Sequence, residues 1–246
     1  MNWHTRYAQQ AKWTRDLRGY IFDKIKLLEG TYRVLEVGCG TGAILSELRS
    51  PILLHGLDIN PAALVQCRVH APAASLIRGN ALQLPYSNNS FDVVYCHFLL
   101  LWVNDPLQAL REMKRVTKTG GYIIAFAEPD YTERVDRPDE LIQLGKWQTD
   151  SLRKQGADPG FGARLAEAFF QAGIQIVETG TIQSVGNEAS AEEWQIEWAV
   201  IESDLAGSVP GEGIQKMKRL DKAARERGER VLHVPTYFAW GVHKDF

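Results

Sequence analysis

Residues 33–42 read Arg-Val-Leu-Glu-Val-Gly-Cys-Gly-Thr-Gly, and this stretch restricts the fold more than any other. A short apolar run, Val34, Leu35 and Val37, stops at glycines on alternate positions, Gly38, Gly40 and Gly42. A continuous apolar run that ends in glycine suits a parallel strand buried on both faces. Glycines just past its end permit a tight turn and let a ligand lie against bare backbone. The segment Ala43 to Leu48 has helical spacing, so the loop is expected to feed a helix N-terminus, where free N–H groups attract anions. The expected ligand is a nucleotide-like cofactor.

The rest of the first half repeats the strand-and-helix alternation of a parallel α/β sheet. Residues 3–28 carry apolar residues at helical spacing. Ile52 to Asp58 predicts a second strand ending in an acid, and Pro61 to about His70 a helix with proline in its first turn. Ala74 to Ile77 and Phe91 to Cys96 predict two further strands. Leu107 to Val116 predicts a helix capped by Gly120-Gly121, and Tyr122 to Ala127 a fifth strand. Handedness then sets the strand C-termini along one edge, where ligands bind.

The second half is less regular. Pro138–Gln155, Phe161–Ala172, Ala189–Ala206 and Gln215–Arg230 read as helices, Ile174–Val185 and Val231–His243 as strands. The chain is therefore expected to be a single domain over 1–246. Its cofactor-binding core falls at about 30–128, with segments of about 128–157 and 187–230 forming a helical cap over the strand C-termini.

Charge and cysteine content narrow the partners. With 28 basic and 30 acidic residues the net charge is -2, which gives no electrostatic reason to expect nucleic acid. Cys39, Cys67 and Cys96 form no metal-like spacing, so no metal is expected, and an odd count fits a reducing, cytoplasmic setting. Residues 1–6 lack an apolar core, so no signal peptide is expected. The longest apolar run, Phe98 to Val103, is too short to span a bilayer. Oligomeric state leaves no trace in the sequence.

Two cofactor readings compete at the glycine loop. Gly38-x-Gly40-x-x-Ala43, with Asp58 ending the next strand, satisfies a loose dinucleotide fingerprint and would suit a nicotinamide-dependent oxidoreductase. The other reading comes from resemblance. Val34 to Gly42, with Glu36 two residues before the first glycine, resembles the signature motif of class I S-adenosylmethionine-dependent methyltransferases. Leu57-Asp58-Ile59-Asn60-Pro61 is similar to that family's ribose-binding acidic loop. Gly79 to Pro85 is similar to its adenine-contacting segment, with Asn80 where the family usually has Asp. Phe91 to Val94, the helix after it and Gly120-Gly121 complete the likeness, which covers roughly residues 30–128. Within the family the chain looks most like the small-molecule branch that includes quinone-biosynthesis enzymes.

The resemblance implies a Rossmann-like, mostly parallel seven-stranded sheet. It implies S-adenosylmethionine as methyl donor, S-adenosylhomocysteine as product and a small-molecule acceptor. A protein that binds the cofactor without turnover is the further alternative. The expected cofactor contacts are Tyr7, Arg15, Glu36, Gly38, Cys39, Gly40, Asp58, Ile59, Asn80, Ala81, Leu82, Cys96 and His97. Asp58 can accept from two ribose hydroxyls at once, and Asn80 can take the adenine amino group with its side-chain oxygen. His97 and Glu128, each at a strand C-terminus, are the candidate catalytic groups, as a proton acceptor for example. Trp102, Tyr131, Trp198 and Tyr237 are candidates to line the acceptor pocket. Glu128-Pro129-Asp130-Tyr131 only superficially resembles the Asn/Asp-Pro-Pro-Tyr motif of nucleic-acid amino-group methyltransferases. It lacks the second proline and follows the wrong strand.

Overall fold

The computed structural model describes residues 3–48, 51–182 and 190–244. In chain order these residues form α1 (Trp3–Trp13), α2 (Arg15–Lys24), β1 (Arg33–Val37), β2 (Leu53–Asp58), α3 (Pro61–His70), β3 (Ser75–Arg78), β4 (Phe91–Cys96), α4 (Pro106–Val116) and β5 (Thr117–Pro129). They continue with β6 (Val135–Arg137), α5 (Ile142–Lys154), α6 (Leu165–Gln171), β7 (Gln175–Ile182), α7 (Ala191–Leu205), α8 (Gly211–Glu226), β8 (Val231–His233) and β9 (Thr236–Val242). Val185 and residues 187–189, assigned above to a strand and to the start of the second cap segment, lie outside the described residues.

A seven-stranded sheet orders the strands β3-β2-β1-β4-β5-β9-β7, and β9 alone runs against the others. Its first five strands are parallel, as their near-continuous apolar runs require. Strand order reverses between β1 and β4, so the C-terminal end of β1 is the topological switch point, where open sheets of this kind bind ligands. Two apolar clusters cover the two faces, one around Leu35, Val94, Met113 and Phe169, the other around Val34, Phe22, Tyr95 and Phe126. A third, of Leu141, Leu144, Trp198, Ile201, Leu205, Ile214, Met217 and Ala224, belongs to a separate layer of α5, α7 and α8.

Several expectations are corrected. Residues 3–28 do not form one helix; the chain breaks at Thr14, whose hydroxyl turns back 3.2 Å to the Ala11 carbonyl and competes with the backbone ladder. No α-helix follows the glycine loop. The chain makes one 3₁₀ turn, Leu45–Glu47, and is already extended at Leu48 on its way back to β2. Ile44 and Leu45 are buried as a compact plug instead of forming a helical face. Gly120-Gly121 does not cap α4; it lies inside β5, where Gly120 takes a φ of +81° and its N–H reaches the His243 carbonyl at 2.8 Å. The final strand is split at Val234-Pro235. Its first part, β8, leaves the large sheet and pairs with β6, a strand the sequence reading missed.

Candidate functional site

At the switch point the loop 38–42 turns on Gly38, Gly40 and Gly42, each with positive φ. The amides of Gly38 and Cys39 donate to the Leu57 carbonyl at 2.7 and 3.0 Å. The Gly40 amide donates to Asp58 Oδ2 at 2.7 Å, and Asn60 N–H donates to Oδ1 at 2.8 Å. The end of β2 therefore shapes the turn at the end of β1, and each Asp58 oxygen keeps lone-pair capacity for a ligand hydroxyl. A Cβ at Gly40 would sit 3.1 Å from the Tyr7 ring, and one at Gly38 would sit 2.8 Å from Leu99 Cδ1. The loop is bare backbone because its two sides are already walled.

A cavity of about 400 Å³ opens over this loop. Glu36, Gly38, Cys39, Gly40 and Asp58 form one end. Trp3, Arg6, Tyr7 and Gln10, one stripe of α1 at helical spacing, form its roof. The turn after β4 contributes His97, Phe98, Leu99, Leu101 and Trp102. Tyr131, Leu152, Gln155, Val200 and Asp204, from the loop after β5 and from α5 and α7, close the far end. The chain thus brings Tyr7, Glu36, Gly38, Cys39, Gly40, Asp58, His97, Trp102 and Tyr131 to one cavity.

The electrostatics differ along it. Glu36 is buried and accepts from the Tyr95 hydroxyl at 3.1 Å, and burial holds its carboxyl well above the ordinary range. Burial also raises the Tyr7 phenol, and the Asp58 charge adds to the effect. At the far end burial raises Asp204, whose carboxylate accepts from the Gln155 amide at 3.4 Å. Arg6 lies near both Asp204 and Tyr131, and its guanidinium stacks 5.0 Å over the Trp13 ring.

The remaining candidates stand elsewhere. Arg15 is exposed and pairs with Glu47 at 3.4 Å; the buried cation here is Arg18, which holds Glu47 and the Ala11 carbonyl. Ile59 points out to solvent. Asn80 accepts from the Leu82 amide with its side-chain oxygen at 2.9 Å, closing a local turn. Ala81 is buried, and Leu82 packs partly buried against the core. Cys96 is fully buried, and burial with the nearby Glu128 charge pushes its thiol up, away from the thiolate. Trp198 is 1% exposed and donates to Asp221 at 2.9 Å, deep in the helical layer. Tyr237 lies on β9 opposite Glu128 and packs against the core.

Both candidate catalytic groups are engaged by neighbouring protein groups. His97 meets the Thr14 hydroxyl at 3.0 Å, and burial, with the Arg18 charge behind it, lowers its pKa to about 3. So weak a base takes no proton at neutral pH. Glu128 is 0% exposed and is occupied from behind by backbone amides. The reading from sequence missed Trp3, Gln10, Gln155 and Asp204. The α1 stripe was detectable by its spacing; Gln155 and Asp204 carry no local signal.

Residues 35–125 match the family model described as a methyltransferase domain. The demethylmenaquinone methyltransferase of Renibacterium salmoninarum is 36% identical over 121 residues, which cover 48% of this chain and 51% of that protein. The chain spans about half the length of the curated relatives it matches. Among solved structures, a SAM-dependent methyltransferase from Thermotoga maritima superposes with a TM-score of 0.55 at 18% identity, over 98% of this chain and 95% of that one. The [4+2]-cyclase SpnF superposes at 0.56 and 19% identity, over 88% and 77%. These two share the fold. Over residues 35–125 the chain is similar to a methyltransferase domain, and its fold is that of the solved methyltransferase.

Proposed function

We propose that this protein transfers a methyl group from S-adenosylmethionine to a small, partly apolar acceptor held beneath a helical cap of α5, α7 and α8. The observation that carries the reading is the convergence of the Gly38–Gly40 backbone and the Asp58 carboxylate at the switch point, under a cavity that continues to α5 and α7. The residues fit the cofactor. Asp58 would accept from neighbouring ribose hydroxyls, the glycine turn would receive the methionine portion, and Glu36 would face its amino-acid end.

When bound, the cofactor supplies an electrophilic methyl on a sulfonium. The protein's part is alignment and exclusion of water. Tyr7 and the α1 stripe cover the donor end, Phe98, Trp102 and Tyr131 give the acceptor a flat aromatic surround, and Arg6, Gln155 and Asp204 orient its polar end. His97, neutral and tied to Thr14, braces the wall and does not abstract a proton. The relatives matched over about half their length support the small-molecule branch. A cytoplasmic setting agrees with three free, buried cysteines, and among the described residues no helix is long and apolar enough to cross a membrane.

Calorimetric titration with S-adenosylhomocysteine, followed by transfer of labelled methyl across a panel of small apolar acceptors, tests the reading. Asp58→Ala should weaken cofactor binding by about 2–4 kcal/mol through lost charge-assisted bonds and a loosened Gly40 turn. Binding of NADH with none of S-adenosylhomocysteine would overturn it. Tight cofactor binding with no turnover on any acceptor would make the protein a binder of the cofactor instead.

A further inference from the structure

The turn between β4 and α4 supplies five cavity residues, yet its own conformation is improbable. Phe98 sits at φ +50°, a region L-residues rarely occupy without support. The support comes from beneath. Glu128, at the end of β5, directs Oε1 to the amides of Leu99 and Leu100 at 3.1 and 2.9 Å, and Oε2 to the amide of Leu101 at 3.1 Å. Three consecutive N–H groups, entering the 3₁₀ turn Leu100–Trp102, converge on one carboxylate sealed from solvent. Such a concave run of amides is built for an anion. The Phe98 amide is held separately by the Ala127 carbonyl at 3.0 Å, so β5 tethers the turn through two adjacent residues.

We infer that Glu128 is a positioning residue: its ionised carboxylate fixes the wall made by His97, Phe98, Leu99, Leu101 and Trp102, and so ties the shape of the cavity to its own charge. The functional half of this inference rests on the methyl-transfer reading; the structural half does not. The charge is finely placed. Burial raises the Glu128 pKa to about 7, and the three amide bonds pull it the other way. The titratable neighbours are Cys96 on β4 and Tyr237, opposite in register on β9. The three leucines and Gly162, which packs on the Glu128 carbonyl, bring no charge, and Arg164 on the same turn is directed to Asp158 at the surface. Protonation would convert one acceptor oxygen into a donor facing an N–H, and the grip would fail there.

The test follows the Leu99, Leu100 and Leu101 amides of the full chain by NMR from about pH 5 to about pH 9, a window centred on the shifted carboxyl. The expected result is that all three titrate together with an apparent pKa near 7 and that this titration is absent from Glu128→Gln. Glu128→Asp, which keeps the charge but shortens its reach, should still titrate. S-adenosylhomocysteine, added as the probe, should bind Glu128→Gln about tenfold more weakly than the wild type, because a wall displaced by a fraction of an ångström no longer matches its ligand. Amides that do not titrate, or that titrate alike in wild type and Glu128→Gln, would overturn the inference. Co-titrating amides in a wild-type protein that binds no S-adenosylhomocysteine would uphold the grip and bring down the methyl-transfer reading alone.

Discussion

The strand-end loop and the helical layer above it are both polar constructions, but they are made from different parts of the chain. The loop is built from backbone. Gly38, Cys39 and Gly40 donate main-chain N–H groups to the end of β2, over a separation of about twenty residues. The layer is built from side chains. Asp221 on α8 takes Trp194 at 2.5 Å, Trp198 at 2.9 Å, Arg225 at 3.2 Å and Arg230 at 2.5 Å. Arg230, 2% exposed, also holds Asp136 at 2.8 Å, and Asp136 in turn takes Arg134 at 2.7 Å. Backbone-built sites tolerate change in the side chains around them. A buried ion network fails when one member is removed, because the partner's charge is left uncompensated.

Removing Asp221 should therefore show the largest effect. Asp221→Ala should cost about 3–5 kcal/mol, as expected for breaking a buried pair, and denaturant unfolding followed by tryptophan fluorescence would measure it. The loss should fall on the layer, with S-adenosylhomocysteine affinity changing far less. An equal loss of both would show that the two regions are one cooperative unit.

The Glu128 carboxyl gives the next effect. Its folded pKa of about 7 lies above the ordinary 4.5, so the folded state holds the proton more tightly than the unfolded one. Its stabilising contribution is present in full below the unfolded value and is lost as pH rises through the folded one. The loss amounts to about 3 kcal/mol. Stability measured against pH should fall across that window in the wild type and lose this slope in Glu128→Gln.

Gly40→Ala sharpens the contrast at the loop. Its φ of +51° and the Tyr7 ring 3.1 Å away penalise the added methyl twice. The backbone part costs about 1–2 kcal/mol. Adding Tyr7→Ala should relieve the steric part and leave the backbone part, which a double-mutant cycle on cofactor affinity would resolve. Smallest is Arg15→Ala. The exposed pair with Glu47 should be worth under about 0.5 kcal/mol, with cofactor affinity unchanged by calorimetry.

The same contrast explains what could be read from residues alone. The parallel half, the glycine turn and the acid at Asp58 were readable because their signals are local: an apolar run, glycines on alternate positions, an acid at a strand end. The absent helix after Gly42 was not readable. The periodicity of Ala43–Leu48 is real, but packing uses it to bury a plug. Arg15 was named as a contact and Arg18 was not considered, because sequence does not show which basic side chain of α2 is turned inward. Trp198 carried an aromatic signal that serves Asp221, twenty-three residues away. Glu128 was noticed through its place at a strand end, but its partners are amides, which no side-chain pattern reveals.

The position of β9 has a consequence for synthesis. It lies between β5 and β7 in the sheet, although both precede it in the chain. Until residues 236–242 have left the ribosome, β5 presents a bare edge of apolar backbone and β7 has nothing to pair with. A ribosome stalled before that point would hold a finished glycine loop on an open sheet, a form suited to chaperones and to aggregation. Closing the sheet needs contacts about 115 residues apart, which predicts slow folding and a strict dependence of solubility on that late strand.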